Sequence, residues 1–280
     1  GLRSLINKSA IKGKISTCDL GFKLGPRINA AGRLGRSSFG TELLTATKTV
    51  DADRIADELD KFNQERKTIE SYVLDSADKQ VTEKKLNKKL LVVHGEDWHE
   101  GVIGIIASRL KDKYHMPCVV ISVSKGKAKG SGRSIKGIDL GNLVIAAKQA
   151  GIIDSGGGHS MAAGLSLEEN KIEELSDFFE NQLCNNQSKI KDEKMIYVDS
   201  LISSSGINLE VYDEIERLGP FGSDNYEPNF VVKNSILASV NQIGENHLKC
   251  LIKSHEGAFI EAMAFRSLST PSGDEIQRNK

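Results

Sequence analysis

The chain predicts an α/β fold: a long connecting helix leads into an alternating strand and helix layer, and a smaller antiparallel β-barrel follows. Three patterns carry this expectation. Apolar residues from Asp51 to about Lys85 recur at 4,3 spacing, short apolar runs alternate with helical patterns from 86 to 185, and roughly the last ninety residues change to short strands parted by turn sequences.

Residues 1 to 40 hold the run Gly25-Pro26-Arg27-Ile28-Asn29-Ala30-Ala31-Gly32-Arg33-Leu34, with Arg36 close behind. Arg27 and Arg33 are candidate phosphate contacts; a segment that merely docks a neighbouring domain is the other reading, and both stay open. In the helix, Ile55, Leu59, Phe62, Ile69 and Val73 form the apolar seam, with Arg66 in the skipped position. About thirty residues at about 1.5 Å each give a rod of about 45 Å. A connector between domains explains it better than a coiled coil, because so short a seam holds too few heptads.

In the alternating layer, Leu90–Val93 and Cys118–Ile121 read as buried strands, Val102–Lys111 and Ile172–Leu183 as helices. Asp139 is a candidate N-cap for a helix bearing Leu140, Leu143, Val144 and Ala147. Ser131 and Arg133 then fall in a strand-to-helix loop. An arginine fork beside a serine hydroxyl suits a terminal or transferring phosphate, whereas a surface basic patch with Lys125, Lys127, Lys129 and Lys136 is the bland alternative. The most informative run is Ser155-Gly156-Gly157-Gly158-His159-Ser160-Met161-Ala162-Ala163-Gly164. Consecutive glycines can aim successive N–H groups at an anion, and His159 adds a donor or general acid. His94, Trp98 and His99 follow the first strand and are expected to converge with Arg133 and His159, or else Trp98 and His99 pack and cap that loop. Their spacing, with Asp97, matches no standard zinc site, and no metal ligand is assigned.

Toward the end, Ile196–Val198, Phe230–Val232, Leu248–Ile252 and Phe259–Phe265 read as strands, with turns at Gly244–Asn246 and His255–Gly257. Phe221, Tyr226 and Lys233 are candidates to touch bases or backbone.

Lys plus Arg equals Asp plus Glu at 38 each, so binding to nucleic acid has to rest on local patches. No run approaches the roughly twenty apolar residues of a membrane span, and no signal-peptide pattern is seen. Cys18, Cys118, Cys184 and Cys250 form no Cys-x-x-Cys pair, which argues against zinc and a disulfide framework and for a reducing cytoplasm.

The Ser-Gly-Arg element and the Gly-Gly-Gly-His run, in this order, resemble the DHH-associated domain of the DHH phosphoesterase superfamily. The Gly25–Leu34 run, His94–Gly104, and Gly219-Pro220-Phe221-Gly222 with Asn225, Glu227 and Pro228 narrow the likeness to the RecJ family of single-strand exonucleases. The resemblance implies a DHH-associated α/β domain over 86–187, preceded by a DHH-domain tail at 1–40 and a connecting helix at 41–85, and followed by an OB-fold-like barrel over 188–280. It also implies 5′→3′ hydrolysis of single-stranded DNA to mononucleotides in recombination and repair. Ser131 and Arg133 would then hold the terminal phosphate, and Gly156, Gly157, Gly158 and His159 the 5′ nucleotide or the scissile phosphate. Mn²⁺ or Mg²⁺ would be held by an Asp-rich domain; Asp-His-His occurs nowhere in these residues, so a fragment lacking those ligands is expected. A single-strand-binding protein is implied as a partner by the resemblance alone, and a monomer with no membrane association is expected. Asp224 stands where the family usually has glycine. Two other readings remain open: a DHH phosphoesterase acting on short oligonucleotides or cyclic dinucleotides, and a non-catalytic single-strand-binding module.

Overall fold

The computed structural model describes residues 1–83, 88–185, 197–268 and 270–279. The chain divides into two compact units, 1–193 and 194–280. The boundaries expected at 85/86 and 187/188, and the strand start at Ile196, lie outside the described residues; Tyr197 and Val198 are not in a strand.

The first unit opens with helices α1 (Leu2–Lys8), α2 (Thr17–Asp19, running into a π-helical turn at Leu20–Leu24), α3 (Gly25–Arg33) and α4 (Ser38–Thr45). Residues 1–45 do more than trail from another domain: Leu5, Leu24, Ala31 and Leu43 bury themselves against Ile55, Ala56 and Leu59 of α5 (Thr49–Glu83) and make a core of their own. The connecting helix begins at Thr49 rather than 41 because Ala46 turns extended and ends α4. At 35 residues, α5 is about 50 Å long. Its second half, through Val73, Ala77 and Val81, joins a different core made with β1 (Leu91–Glu96), α6 (Glu100–Tyr114) and β2 (Cys118–Ser124).

Completing this unit are β3 (Lys127–Arg133), α7 (Leu140–Gln149), β4 (Ser155–His159), β5 (Ala162–Glu168) and α8 (Ile172–Asn185). The five strands lie in the order β1-β2-β3-β5-β4. Only β1 and β2 are parallel; all other pairs are antiparallel. The alternating pattern thus holds for two strands and then gives way to hairpins, where Lys125-Gly126 supplies two positive-φ residues for a tight turn. Helices α5 and α6 cover one face, while α7 and α8 cover the other. Val119, Ile121, Leu165, Leu167 and Phe179 belong to the second of these cores, and β2, apolar from Cys118 to Ile121, is buried on both sides as far as Val123, as a central strand should be.

The second unit holds β6 (Ser200–Leu201), α9 (Leu209–Glu216), β7 (Phe230–Val231), β8 (Ile236–Ile243), β9 (His247–Lys253), β10 (Phe259–Ala264) and α10 (Pro271–Arg278). Of the barrel, the described residues show the antiparallel meander β8-β9-β10 and a short parallel pair, β6 with β7. Gly244 and Gly257, both at positive φ, make the two hairpin turns where the sequence places them. Sequence periodicity misses β8, α9 and α10. One face of the meander packs Val240, Leu248 and Cys250 with Ala262, Leu268 and Ile276. Asp224 has φ +64, so it keeps the left-handed backbone that a glycine would adopt, at a position an aspartate tolerates.

Candidate functional site

Ser131 and Arg133 lie on β3 itself, not in a loop after it. Being two residues apart, they share the sheet face that carries α6. Arg133 Nη1 donates to Ser131 Oγ at 3.2 Å and to the Gly132 carbonyl at 2.8 Å, which fixes the fork along the strand. Helix α6 reaches them because Gly104 has no side chain: a Cβ there would sit 3.0 Å from Ser131 Oγ and 3.1 Å from Arg133 Nη2. One turn earlier, Gly101 lies against the Arg33 backbone, where a Cβ would come 2.9 Å from its carbonyl carbon. Its carbonyl accepts from Arg33 Nη1 at 3.1 Å. Two segments distant in sequence therefore meet at the start of α6. Burial, reinforced by the nearby Arg33 charge, lowers the pKa of the Arg133 guanidinium. Among the described residues neither arginine pairs with a carboxylate, so both guanidiniums are left without an ion-pair partner.

The glycine run does not form a nest. Gly156, Gly157 and Gly158 are extended in β4, none at positive φ, and pair with Leu165, Gly164 and Ala163 of β5. Pairing with β5 wins because Ala162–Glu168 alternates inward apolar residues and offers a full ladder. Cross-strand register then builds two rows on the α6 side: Ser131, Gly164 and Gly157 in one, Arg133, Ala162 and His159 in the next. Beyond α6 this face is bare. A trough of about 450 Å³ runs over Glu100, Ile103, Lys129, Ser131, Gly164 and Ser166. No atom comes within 4 Å of a Cβ built on Gly157, and only the Gly130 carbonyl oxygen, at 3.9 Å, approaches one on Gly164. Internal packing therefore does not require glycine at either place. Gly156 and Gly158 face the other way and are required by packing, against Val144 and Ile153 at 2.7 and 2.9 Å and against Ala163 Cα at 2.5 Å. His159 is exposed; its Nδ1 accepts from Met161 N–H at 3.3 Å, which leaves the proton on Nε2, free to donate outward.

Other candidates do not join this face. Arg27 is committed to Asp60 on α5 (2.8 Å) and to the Lys23 carbonyl (2.8 Å), so it docks α3 rather than waiting for a phosphate. Trp98 is buried over Gly95, and its carbonyl accepts from Ser122 Oγ. His99 is the N-cap of α6, its Nδ1 accepting from Gly101 N–H at 3.0 Å. Within the basic patch, Lys127 pairs with Glu168 and Lys129 with Glu100. Sequence reading gives Gly101 and Gly104 no role; their three-residue spacing at a helix start, a small stripe on one face, is the available signal.

Comparison with known proteins adds identity to this geometry. The DHHA1 domain family matches residues 87–185, and the RecJ OB domain family matches residues 198–279. The single-stranded-DNA-specific exonuclease RecJ of Haemophilus influenzae is 36% identical over 262 residues, covering 90% of this chain and 45% of that protein. The chain belongs to the RecJ family. RecJ of Bacillus subtilis is 33% identical over 95% of the chain and 34% of that protein. The crystal structure of RecJ from Thermus thermophilus with Mn²⁺ superposes with a TM-score of 0.79 at 26% identity, over 96% of this chain and 39% of that one; the Mg²⁺ complex gives 0.78 at 25%, over 96% and 41%. The chain spans less than half the length of these relatives. Among its described residues no three His, Cys, Asp or Glu side chains converge as metal ligands, so these residues do not fit a Mn²⁺ or Mg²⁺ centre. No described helix is long and apolar enough to cross a membrane.

Proposed function

We propose that the open face of the first unit binds the 5′-phosphate and first nucleotide of a single DNA strand, within a 5′→3′ exonuclease that releases mononucleotides in recombination and repair. The observation that carries this reading is the meeting of Arg33, Ser131 and Arg133, two unpaired guanidiniums and a hydroxyl, at the end of a glycine-lined trough. Such a pair of positive charges favours a doubly charged terminal phosphate over a diester. The bare rows at Gly157 and Gly164 leave room for the sugar, and His159 donates from Nε2 to a phosphate oxygen or to the departing group. Divalent metal, Mn²⁺ or Mg²⁺, would be held by residues other than those described here.

The second unit supplies the strand track. Its meander turns one face outward, with Phe259, Met263, Ile236 and Ile243 exposed beside Lys253, His247 and Asn241, and with Lys249 paired to Glu261 on the same face. Phe265 extends the row and meets His247 edge-on at 5.6 Å. Interleaved aromatic and basic side chains suit stacked bases and a tracked backbone. These positions serve better than Phe221 and Tyr226, which lie in a loop between α9 and β7; Lys233 flanks the start of the sheet. The protein would act as a monomer in the cytoplasm, with a single-strand-binding protein as accessory; its four cysteines are free.

The test is fluorescence anisotropy with a short labelled strand bearing either a 5′-phosphate or a 5′-hydroxyl. A charge-assisted contact is worth about 1.5–3 kcal/mol, so Arg133→Ala should cost about 10- to 150-fold on the phosphorylated strand and little on the other. Equal binding of the two strands by the unaltered protein sinks the proposal.

A further inference from the structure

The middle of α5 carries a buried polar network that the face described above does not touch. Asn63, Arg66 and Glu70 lie on one side of the helix and all are buried, Glu70 to 2%. They sit where the core around Ile55 and Leu59 ends and the core around Val73 and Ala77 begins. Arg66 Nη1 donates to Glu70 Oε2, and Arg66 Nη2 donates to Asn63 Oδ1 at 3.1 Å. Glu70 Oε1 forms an ion pair with Arg109 of α6, although it lies outside hydrogen-bond geometry. Arg66 Nε is buried with no acceptor.

Two guanidiniums thus share one buried carboxylate, with one donor left over. Such triads are poor sources of stability: apolar side chains of similar volume commonly do as well or better, and what a triad does supply in the best-attested cases is a fixed register. The register at stake here is that of α6 against α5. Arg109 lies five residues beyond Gly104, about 7.5 Å along the axis. On the near side of that span, α6 touches Arg33 through Gly101 and Ser131 with Arg133 through Gly104, at separations that leave no slack. Arg33 arrives on α3, which Arg27 ties to α5 through Asp60. Arg133 arrives on the sheet. Helix α6 is the wedge between them; the triad is the buried charged fastening of that wedge to α5, and an exposed one, Lys113 with Tyr114 on Asp78, follows about one turn later.

We propose that Arg66, Glu70 and Arg109 are positioning residues that set the spacing of Arg33 and Arg133, and through it the preference for a terminal phosphate. The phosphate part rests on the reading under Proposed function; the positioning part does not. Arg109 is half-exposed, so Arg109→Leu leaves the Arg66–Glu70 pair intact inside α5. Amide hydrogen exchange over residues 100–106 and the ratio of affinities for 5′-phosphorylated and 5′-hydroxyl strands are then measured on the same protein. The expected result is a thermal midpoint within about 2 °C of the parent, exchange over 100–106 about tenfold faster, and an affinity ratio lowered about fivefold. The all-apolar variant Arg66→Leu/Glu70→Leu/Arg109→Leu should keep a cooperative thermal transition while showing the same two changes. Parental exchange over 100–106 in both variants overturns the positioning role, and so does loss of the transition in the all-apolar variant, which would make the network a support of the fold. A parent that ignores the 5′-phosphate overturns the phosphate reading instead, while exchange still decides the positioning role.

Discussion

Adjacent glycines of β4 should respond in opposite ways to the same methyl group. At Gly158 a Cβ would come 2.5 Å from Ala163 Cα and closer still to the Ala162 carbonyl, both backbone, so Gly158→Ala must push β4 off β5. Overpacking of this kind costs about 1–3 kcal/mol, or about 2–10 °C in a unit of this size. At Gly157 the backbone is extended and no atom lies within 4 Å. Gly157→Ala should therefore leave the midpoint unchanged or raise it, because alanine narrows the unfolded ensemble by about 0.4–1 kcal/mol. Yet that methyl stands on the open face, in one row with Gly164 and Ser131. Larger replacements make the test sharper: Gly157→Val projects further over the bare face while suiting a strand. Thermal unfolding and anisotropy with a 5′-phosphorylated strand are the paired assays, and Gly157→Val should lose at least about tenfold in affinity with its fold intact, the size of one forfeited contact group. Should Gly157→Val bind like the parent, the bare face is not where the nucleotide lies. A midpoint lowered by Gly157→Ala as much as by Gly158→Ala would refute the assignment of faces.

Arg33→Ala should weaken binding of a 5′-phosphorylated strand about tenfold or more, whereas Arg27→Ala, which cuts the α3–α5 tie to Asp60, should lower the thermal midpoint and leave the affinity of the folded fraction unaltered. Phe259→Ala and Phe265→Ala remove exposed rings from the second unit; titrations should show losses of about tenfold each for longer strands, since a stacked base is worth about 1–3 kcal/mol, with no change in unfolding. Asp19 caps α2 through Ser16, and its carboxyl is held at about 2 by Lys23 and the Ser16 contacts. Its folded pKa is below the ordinary 3.8, so the stabilisation is present above that value and is lost as pH falls toward 2; Asp19→Asn should erase that part of the acid-induced change followed by circular dichroism.

Much of the first unit is legible because its signals are local. The 4,3 seam of α5, the Asp139 cap, whose side chain accepts from Asn142 N–H at 3.0 Å, and the apolar run of β2 each declare themselves within a few residues. What escapes depends on partners distant in sequence. Ser155–His159 has no side-chain alternation to mark a strand, and only β5 makes it one. Ser131 and Arg133 read as loop residues because Gly130 and Gly132 resemble turn glycines; in the fold those glycines admit Leu165 and Leu140. The two arginines of the site are each visible as residues, but their meeting is not, since it is made by glycines on a third element. In the second unit, β8 carries Ser239, Asn241 and Gln242 on a strand with one open face, which blunts the alternation on which a strand assignment relies.

The strand that carries the glycine triplet also has a bearing on how the molecule assembles. With three glycines among five residues, β4 holds almost no information about its own alignment, and sliding by two residues would present β5 with nearly the same chemistry. The choice is made from outside the sheet. Gly141 of α7 lies against Gly158 and His159, with a Cβ position 3.1 Å from His159 Cα, the Leu140 N–H donates to the Ser160 carbonyl at 3.1 Å, and Val144 occupies the space beside Gly156. A helix thus acts as the ruler for a strand that cannot measure itself. A chain in which α7 is not docked lacks that ruler, and its sheet edge is then open to pairing with a neighbour.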